Sequence, residues 1–232
     1  MAALMLPLLA ESKVYLVSVG IADYKGTEMD LRLSADDART ITWLYSQNND
    51  LQYVQLLNEK ATISSITAAM NKVFANAGVN DIVVFFYSGH GFPGGFNVYD
   101  GKLTYDTVRK AMSRSNCRNK MIFADACFAG AIRNGGGADQ ASVASAKKAN
   151  VMLFLSSRSN EVSWEGARMK NGFFTTYLQK GLRGGADADR NRVITAKELF
   201  DYVHTNVSKK TDDKQHPVMW GNFPDDMPVM RW

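Results

Sequence analysis

The residues with the clearest chemical potential are His90 and Cys127, each of which follows an apolar run. His90 stands between two glycines after the run VVFFY at 83–87, and Cys127 comes after KMIFA at 120–124 and the acid Asp125. A thiol with an ordinary pKa is only slightly ionised at neutral pH, and a neighbouring imidazole that accepts its proton makes it a competent nucleophile. The two residues together predict a Cys/His dyad for acyl transfer.

Gly91 adds to this pattern. Because glycine has no side chain, the amide N–H of Gly91 can approach a substrate carbonyl, and the Cys127 amide can supply a second donor. Gly91 and Cys127 are therefore the predicted oxyanion hole. The other cysteine, Cys117, lies among polar residues with no apolar strand before it, and we interpret it as an incidental thiol.

The elements that must position the dyad are apolar strands that alternate with helices along the chain. The pattern predicts strands at 13–20, 53–57, 82–87, 120–124 and 151–156, and helices at 35–47, 62–77, 104–114, 173–182 and 196–208. Unbroken apolar strands in such an order indicate a parallel sheet covered on both faces. If the strands before His90 and Cys127 are neighbours, both residues emerge at the carboxyl edge, where open α/β sheets bind ligands.

Length and composition restrict the remaining possibilities. The 232 residues are 46% hydrophobic and 22% charged, which suits one domain over 13–232. The net charge of +4 is scattered, so nucleic acid is not an expected partner. The two cysteines are too few for a disulfide framework and lack the Cys/His spacing of a zinc site. No apolar run is long enough to span a membrane. The apolar segment 1–12 can be a signal-peptide remnant, a first strand or a cloning remnant, which leaves export open.

The two motifs, YSGHG at 87–91 and DACFAG at 125–130, resemble those of the caspase-like cysteine peptidases, and more closely the metacaspase and bacterial caspase-like branch. The Gln-Ala-Cys of animal caspases is replaced by the Asp-x-Cys of metacaspases. The resemblance continues through four further stretches and spans about 13–217; these stretches are 23–27, 33–38, 156–166 and 171–175. It implies a caspase-hemoglobinase fold, an α/β fold with a mainly parallel sheet of about six strands between helices, and peptide-bond hydrolysis by Cys127 with His90.

The resemblance also implies a specificity. Metacaspase-like enzymes have an acidic pocket for the residue before the cut, and the matching positions here are Asp37 and Asp125, with Ser88 on the wall. Two carboxylates in a partly desolvated pocket favour a cationic guest, so we expect cleavage after Arg or Lys and not after Asp. An alternative for Asp37 is that it complements the dipole of a helix first turn, a role that Asp36 fills equally well.

Three further residues are assigned to substrate binding. Ser34 and Ser157 lie in the stretches that carry the resemblance. Trp164 lies in a polar loop, where an exposed indole can line the substrate groove. Trp164 can equally pack on the Phe173 and Phe174 pair.

No cofactor is required for this chemistry, but calcium is a possible activator. Several family members hold calcium with acids that include one shortly after the nucleophile, and Asn134 occupies that position here. Separately, 187–198 has the ligand spacing of an EF-hand loop, with Asp187, Asp189, Asn191 and Glu198 as ligands. Arg192 replaces its turn glycine. The alternative is a polar turn into a helix that begins with a Thr195–Glu198 capping box.

The predicted function is a cysteine endopeptidase that acts on peptides or proteins containing basic residues, as a monomer and without nucleic acid or membrane. The Gly-, Ala- and Ser-rich segment 133–150 is an expected flexible loop, and it offers Arg133, Lys147 and Lys148 as self-cleavage sites. The alternative is a catalytically silent caspase-like module that serves binding or scaffolding.

Overall fold

The computed structural model describes residues 12–47, 50–92, 94–126, 151–157 and 170–231. The strands in these residues are β1 Val14–Gly20, β2 Leu51–Leu57, β3 Ile82–Ser88, β4 Gly91–Phe92, β5 Gly95–Val98, β6 Gly101–Thr104, β7 Asn119–Asp125, β8 Val151–Leu155, β9 Val193–Thr195, β10 Val218–Trp220 and β11 Pro228–Arg231. The helices are α1 Ser34–Ser46, α2 Ile63–Phe74, α3 Tyr105–Ser113, α4 Phe173–Lys180 and α5 Ala196–Lys210. Shorter helical turns lie at Thr27–Met29, Asn58–Lys60 and Gly181–Gly185.

A six-stranded sheet with the order β10-β8-β7-β3-β1-β2 forms the centre of the fold. The strands from β8 to β2 are parallel, and only β10 at the edge runs antiparallel to its neighbour. This arrangement confirms the predicted α/β class with its mainly parallel sheet of six strands. Each predicted strand and helix is present, with ends shifted by a few residues.

Both faces of the sheet are covered, which explains why its central strands are apolar without alternation. Every residue of β1 and of β3 is buried. Residues on one face, such as Phe85, pack with α2 and α3, while residues on the other, such as Phe86, pack with α1, α4 and α5. The sheet is therefore a base with two apolar layers, and the polar residues Ser88 and Asp125 lie at its carboxyl edge.

The register brings the chemically important strand ends together. β3 and β7 are parallel neighbours, and Ser88 at the end of β3 lies opposite Asp125 at the end of β7. The pairing extends one step further, because the Gly89 N–H donates to the Asp125 carbonyl at 3.2 Å. The expectation that these two strands are adjacent is confirmed.

Glycine brings α1 close to this edge. A side chain at Gly20, the last residue of β1, would collide with the backbone carbonyl of Ser34 and with Ala38. The close approach places the first turn of α1 directly over the strand ends.

Two smaller sheets and the edge strand β10 were not predicted. A three-stranded antiparallel sheet, β4-β5-β6, follows His90 directly, and β9 pairs with β11. These strands have two to four residues, too few to show a hydrophobic period. Within the described ranges, no helix combines the length and hydropathy that crossing a membrane would need.

Candidate active site

Asp37 is a buried carboxylate in the first turn of α1, with an exposed fraction of 2%. Its Oδ2 accepts a hydrogen bond from Ser88 Oγ at 2.8 Å, and its Oδ1 accepts from Asn171 Nδ2 at 2.8 Å and from the Gly172 N–H at 3.2 Å. Burial, and next the negative charge of Asp125, raise the pKa of Asp37 well above its usual range. The site therefore holds two interacting carboxyl groups in a poorly solvated place.

Asp125 is buried at the end of β7 and is bound to the start of α4. Its Oδ2 accepts from the Thr175 N–H at 3.1 Å and from Thr175 Oγ1 at 2.9 Å. The N-cap position of α4 is Gly172, which makes no side-chain capping bond. Asp125 thus supplies from a distant strand the acceptor that an N-cap residue normally provides. The Asp125 carboxylate therefore caps α4, in addition to any role in substrate binding.

Asp36, the neighbour of Asp37, behaves differently. It is exposed and forms an ion pair with Arg39 at 2.7 Å. Asp36 is therefore suited to complement the dipole of α1, because it is an exposed acid in the first turn of that helix. The carboxylate of Asp37 instead accepts hydrogen bonds from β3 and from the segment before α4.

The structure brings Asp37, Ser88 and Asp125 together at one edge of the sheet. Ser34, at the start of α1, and Ser157, after β8, are both buried. Six residues named in the sequence analysis lie outside the described residues; they are Cys127, Trp164, Arg133, Lys147, Lys148 and Asn134.

The backbone of His90 is held on both sides. Its N–H donates to the Tyr24 hydroxyl at 2.8 Å, and its carbonyl accepts from the Tyr87 hydroxyl and from the Asn97 N–H, each at 2.9 Å. Gly91 follows as the first residue of β4 and lies opposite Phe96. The histidine therefore leaves the sheet at a fixed point.

The imidazole of His90 is half-buried, and its Nε2 lies 2.9 Å from the Met29 carbonyl oxygen. A carbonyl only accepts hydrogen bonds, so Nε2 must carry a proton. In the neutral ring, Nδ1 is then the nitrogen that can take a proton from a nucleophile. This is the arrangement that a general base needs.

The residue before Cys127 is also fixed. Ala126 donates its N–H to Ser156 Oγ at 3.1 Å, and the same hydroxyl donates to the Ala126 carbonyl at 3.1 Å. By contrast, Cys117 is buried and donates its S–H to the Asp81 carbonyl at 2.9 Å. Burial raises the pKa of Cys117 to about 11, which disfavours its thiolate form at neutral pH.

Sequence reasoning missed the residues that support the site. Asn171, Gly172 and Thr175 bind the two carboxylates, and Tyr24 binds His90. All four lie in stretches that carried the family resemblance, which was the available signal. Nothing in those stretches reveals which distant side chain each residue contacts.

A second acidic group lies at 187–198, far along the chain from His90. One carboxylate oxygen each from Asp187, Asp189 and Glu198 lies within 4.8 Å of the others, so these residues could hold a cation. The fourth predicted ligand, Asn191, uses its side-chain oxygen to accept from the Val193 N–H at 2.7 Å. The Thr195–Glu198 capping box is present, and this part of the sequence interpretation is confirmed.

Calcium binding at this loop remains a prediction. At a calcium concentration about 100 times the dissociation constant, we expect the melting temperature to rise by roughly 5–10 °C. Glu198→Gln is the matched control, because glutamine preserves the capping box but weakens a calcium ligand. Arg192 adopts φ 67°, a region that favours glycine, so Arg192→Gly should enlarge the rise. If calcium changes the melting temperature of none of the three proteins (wild type, Glu198→Gln and Arg192→Gly), the prediction of calcium binding is contradicted, and the capping box is the remaining role of this loop.

The sequence and the fold are both similar to those of known proteins. A model of the Caspase domain matches residues 14–227. No curated protein matches the sequence significantly. Similar solved structures include protein GSU0716 from Geobacter sulfurreducens, with a TM-score of 0.67 and 17% identity over 94% of this chain and 97% of that chain. Another is pro-sf-caspase-1, with a TM-score of 0.65 and 14% identity over 94% and 95%. At such identities, these structures demonstrate a shared fold alone.

Proposed function

Because this chain belongs to the caspase domain family, we propose that it is a cysteine endopeptidase of the metacaspase-like branch that cleaves after Arg or Lys. The observation that carries the proposal is the buried pair of Asp37, in the first turn of α1, and Asp125, at the end of β7, at the sheet edge from which the His90 segment emerges. Two adjacent buried carboxylates repel each other, and a cation that binds between them relieves this repulsion. A guanidinium or ammonium group from the substrate would supply that cation, and a guanidinium can form two parallel hydrogen bonds.

The proposed reaction uses Cys127 and His90. His90 Nδ1 takes the proton of the Cys127 thiol, and the thiolate sulfur bonds to the substrate carbonyl carbon. The N–H groups of Gly91 and Cys127 stabilise the oxyanion, and the imidazolium returns its proton to the leaving amine as the C–N bond breaks. Water then hydrolyses the thioester. None of these steps needs a metal ion.

The register supports this pair of roles. Ser88 and Asp125 lie opposite each other in neighbouring parallel strands. His90 follows Ser88 by two residues, and Cys127 follows Asp125 by two residues. Equal spacing from a paired position is what a dyad across two adjacent strand ends requires.

The test is hydrolysis of paired fluorogenic peptides that end in Arg, Lys or Asp. We expect the wild type to cleave the Arg and Lys peptides, and Cys127→Ala and His90→Ala to cleave none. Preference for the Asp peptide would contradict the pocket assignment. A folded wild type that hydrolyses no peptide, with or without calcium, would favour the alternative of a catalytically silent binding or scaffold module.

Self-cleavage within 133–150 is a further part of the proposal. Purified wild type should yield two fragments on incubation, while Cys127→Ala should remain one band, because the cut depends on the nucleophile. Replacing Arg133, Lys147 and Lys148 together by Gln should prevent the cut but preserve hydrolysis of an added Arg peptide. Mass spectrometry of the fragments identifies the bond. A single band from active wild type would contradict this prediction.

A further inference from the structure

Tyr24 contacts His90 through both parts of its side chain. Its hydroxyl accepts the His90 N–H at 2.8 Å, and its ring lies 5.1 Å from the imidazole, centroid to centroid. Tyr24 is buried, although it belongs to a loop between β1 and α1 in which most residues are exposed. The loop at 22–31 therefore reaches the proposed base through an anchored aromatic residue.

The same loop supplies the acceptor for the imidazole. Met29 lies five residues after Tyr24, and its carbonyl is the partner of His90 Nε2 at 2.9 Å. One loop thus binds His90 at two points, the backbone N–H and the ring.

The loop is itself closed by hydrogen bonds. Asp30 Oδ1 accepts the Tyr24 N–H at 2.9 Å, and the Leu31 N–H donates to the Ala22 carbonyl at 2.7 Å. Asn58 Oδ1 accepts the Ala22 N–H at 3.0 Å. These bonds fix the position of Tyr24 relative to Met29, so the two contacts with His90 form as a unit.

We propose that the loop at 22–31, through Tyr24, holds the His90 imidazole in position and in the Nε2–H tautomer. Tyr24 is then a positioning residue and not a catalytic one. This inference rests on the proposed function, in which His90 Nδ1 is the base.

Gly89 makes the contact possible. A side chain at this position would place its Cβ 2.6 Å from the Tyr24 hydroxyl and 2.5 Å from the Tyr87 hydroxyl. Because no Cβ is present, both hydroxyls reach the backbone of His90. The glycine before the histidine thus admits the two tyrosines.

The decisive comparison is between Tyr24→Phe and Tyr87→Phe. The two hydroxyls lie 3.2 Å apart in one buried pair, so each variant removes one oxygen from the same place. Tyr24→Phe removes the hydroxyl that accepts the hydrogen bond of the His90 N–H, the one acceptor for this group among the described residues. After Tyr87→Phe, the His90 carbonyl keeps its bond from the Asn97 N–H. The two variants should lose similar stability and differ in catalysis.

We expect Tyr24→Phe to lower kcat roughly 10- to 100-fold on an Arg peptide, because small displacements of a catalytic group have effects of that size. KM should change by no more than about twofold, since substrate binding is not altered. Tyr87→Phe should keep kcat within about threefold of the wild type. Equal losses of kcat in the two variants would overturn the proposal, because a purely structural role predicts them.

A second readout does not depend on proteolysis. The ¹⁵N and ¹H shifts of the His90 ring report the tautomer, and the wild type should show Nε2–H, whereas Tyr24→Phe should show a mixture. Unchanged ring shifts in Tyr24→Phe would also overturn the proposal. If the wild type proves inactive, the proposed function fails while the ring shifts still test the positioning.

Asp30 gives a test that does not alter the buried pair. It is exposed, so substitution should leave the fold intact. Asp30→Ala removes the acceptor of the Tyr24 N–H and should lower kcat, whereas Asp30→Asn retains an acceptor oxygen and should restore it. A kcat that falls equally in both variants would contradict the proposed route through Tyr24.

Discussion

Replacing Asp37 by Asn is expected to lower kcat/KM for an Arg peptide by roughly 100-fold or more, because a buried charge partner of the substrate is lost. The same substitution should raise the melting temperature of the free protein at neutral pH. The stabilising effect arises because burial and the charge of Asp125 disfavour ionisation of Asp37, and asparagine carries no ionisable group. Asparagine can still accept the bonds from Asn171 and Gly172. A residue that weakens the free protein yet is needed for cleavage is typical of a binding site.

The effect on stability should depend on pH in a defined direction. The pKa of Asp37 in the folded protein is raised well above 3.8. Between the two values the folded state binds more protons than the unfolded state, so this contribution to stability is complete below the ordinary pKa and is lost as the pH rises through the folded one. The wild type should therefore lose melting temperature relative to Asp37→Asn as the pH rises above about 4.

Asp36→Asn is the matched control for this prediction. Asp36 lies in the same helical turn but is exposed and paired with Arg39, so its substitution should alter neither specificity nor the pH profile. Measurement requires melting curves from pH 4 to 8 and kinetics with Arg and Asp peptides. If Asp37→Asn lowers the melting temperature at neutral pH, the carboxylate is a structural residue whose charge is already balanced.

A cationic guest should reverse this dependence. An Arg side chain that binds between the carboxylates favours their ionised forms, so its binding releases a proton from the pocket. The affinity of the Cys127→Ala variant for an Arg peptide should therefore rise with pH across the range in which the free protein loses stability. The affinity for a basic substrate and the stability of the free protein would then both depend on protonation of the Asp37 and Asp125 pair.

The main features of the fold, and the meeting of polar residues at the carboxyl edge of the sheet, were predictable from the sequence for a physical reason. Strands buried on both faces are unbroken apolar runs, and parallel strands end at one edge. The polar residues after Tyr87 and after Ala124 therefore had to meet if β3 and β7 were neighbours, as they are. Local pattern and sheet geometry were sufficient for this inference.

The support around the site was not predictable, because it depends on contacts between residues far apart in sequence. The bond from Asn171 to Asp37 joins residues separated by 134 positions, and that from Thr175 to Asp125 joins residues separated by 50. Asn171 and Thr175 are ordinary polar residues near a helix start, so their types suggest capping and nothing more. Asp125 likewise caps α4 from the end of a different element, a role that no local sequence pattern indicates.

Gly172 is the residue at which this support can be tested most sharply. An added Cβ would lie 2.6 Å from Asp125 Oδ2, the oxygen that accepts both bonds from Thr175. We expect Gly172→Ala to lower the free energy of unfolding by about 1–3 kcal/mol through overpacking. It should also lower kcat/KM for Arg peptides, because Asp125 or the start of α4 must move. Chemical denaturation and peptide kinetics measure the two effects.

Backbone strain does not account for this expectation. Gly172 has φ −57° and ψ 157°, a conformation that alanine adopts readily. At a permissive position with free space, Gly→Ala stabilises a protein by about 0.4–1 kcal/mol. The sign of the measured change therefore distinguishes a collision from a permissive site.

A double-mutant cycle with Asp125→Ala assigns the collision to its partner. Asp125→Ala alone removes the cap of α4 and should destabilise the protein, but it also removes the oxygen that the new Cβ meets. In that background Gly172→Ala should be neutral or stabilising, which gives a coupling energy of about 1–3 kcal/mol. If Gly172→Ala is equally destabilising with and without the Asp125 carboxylate, the two residues are not in contact, and the acidic pair is not held in the way described. A large coupling would show instead that the space left at Gly172 lets Asp125 both cap α4 and lie beside Asp37.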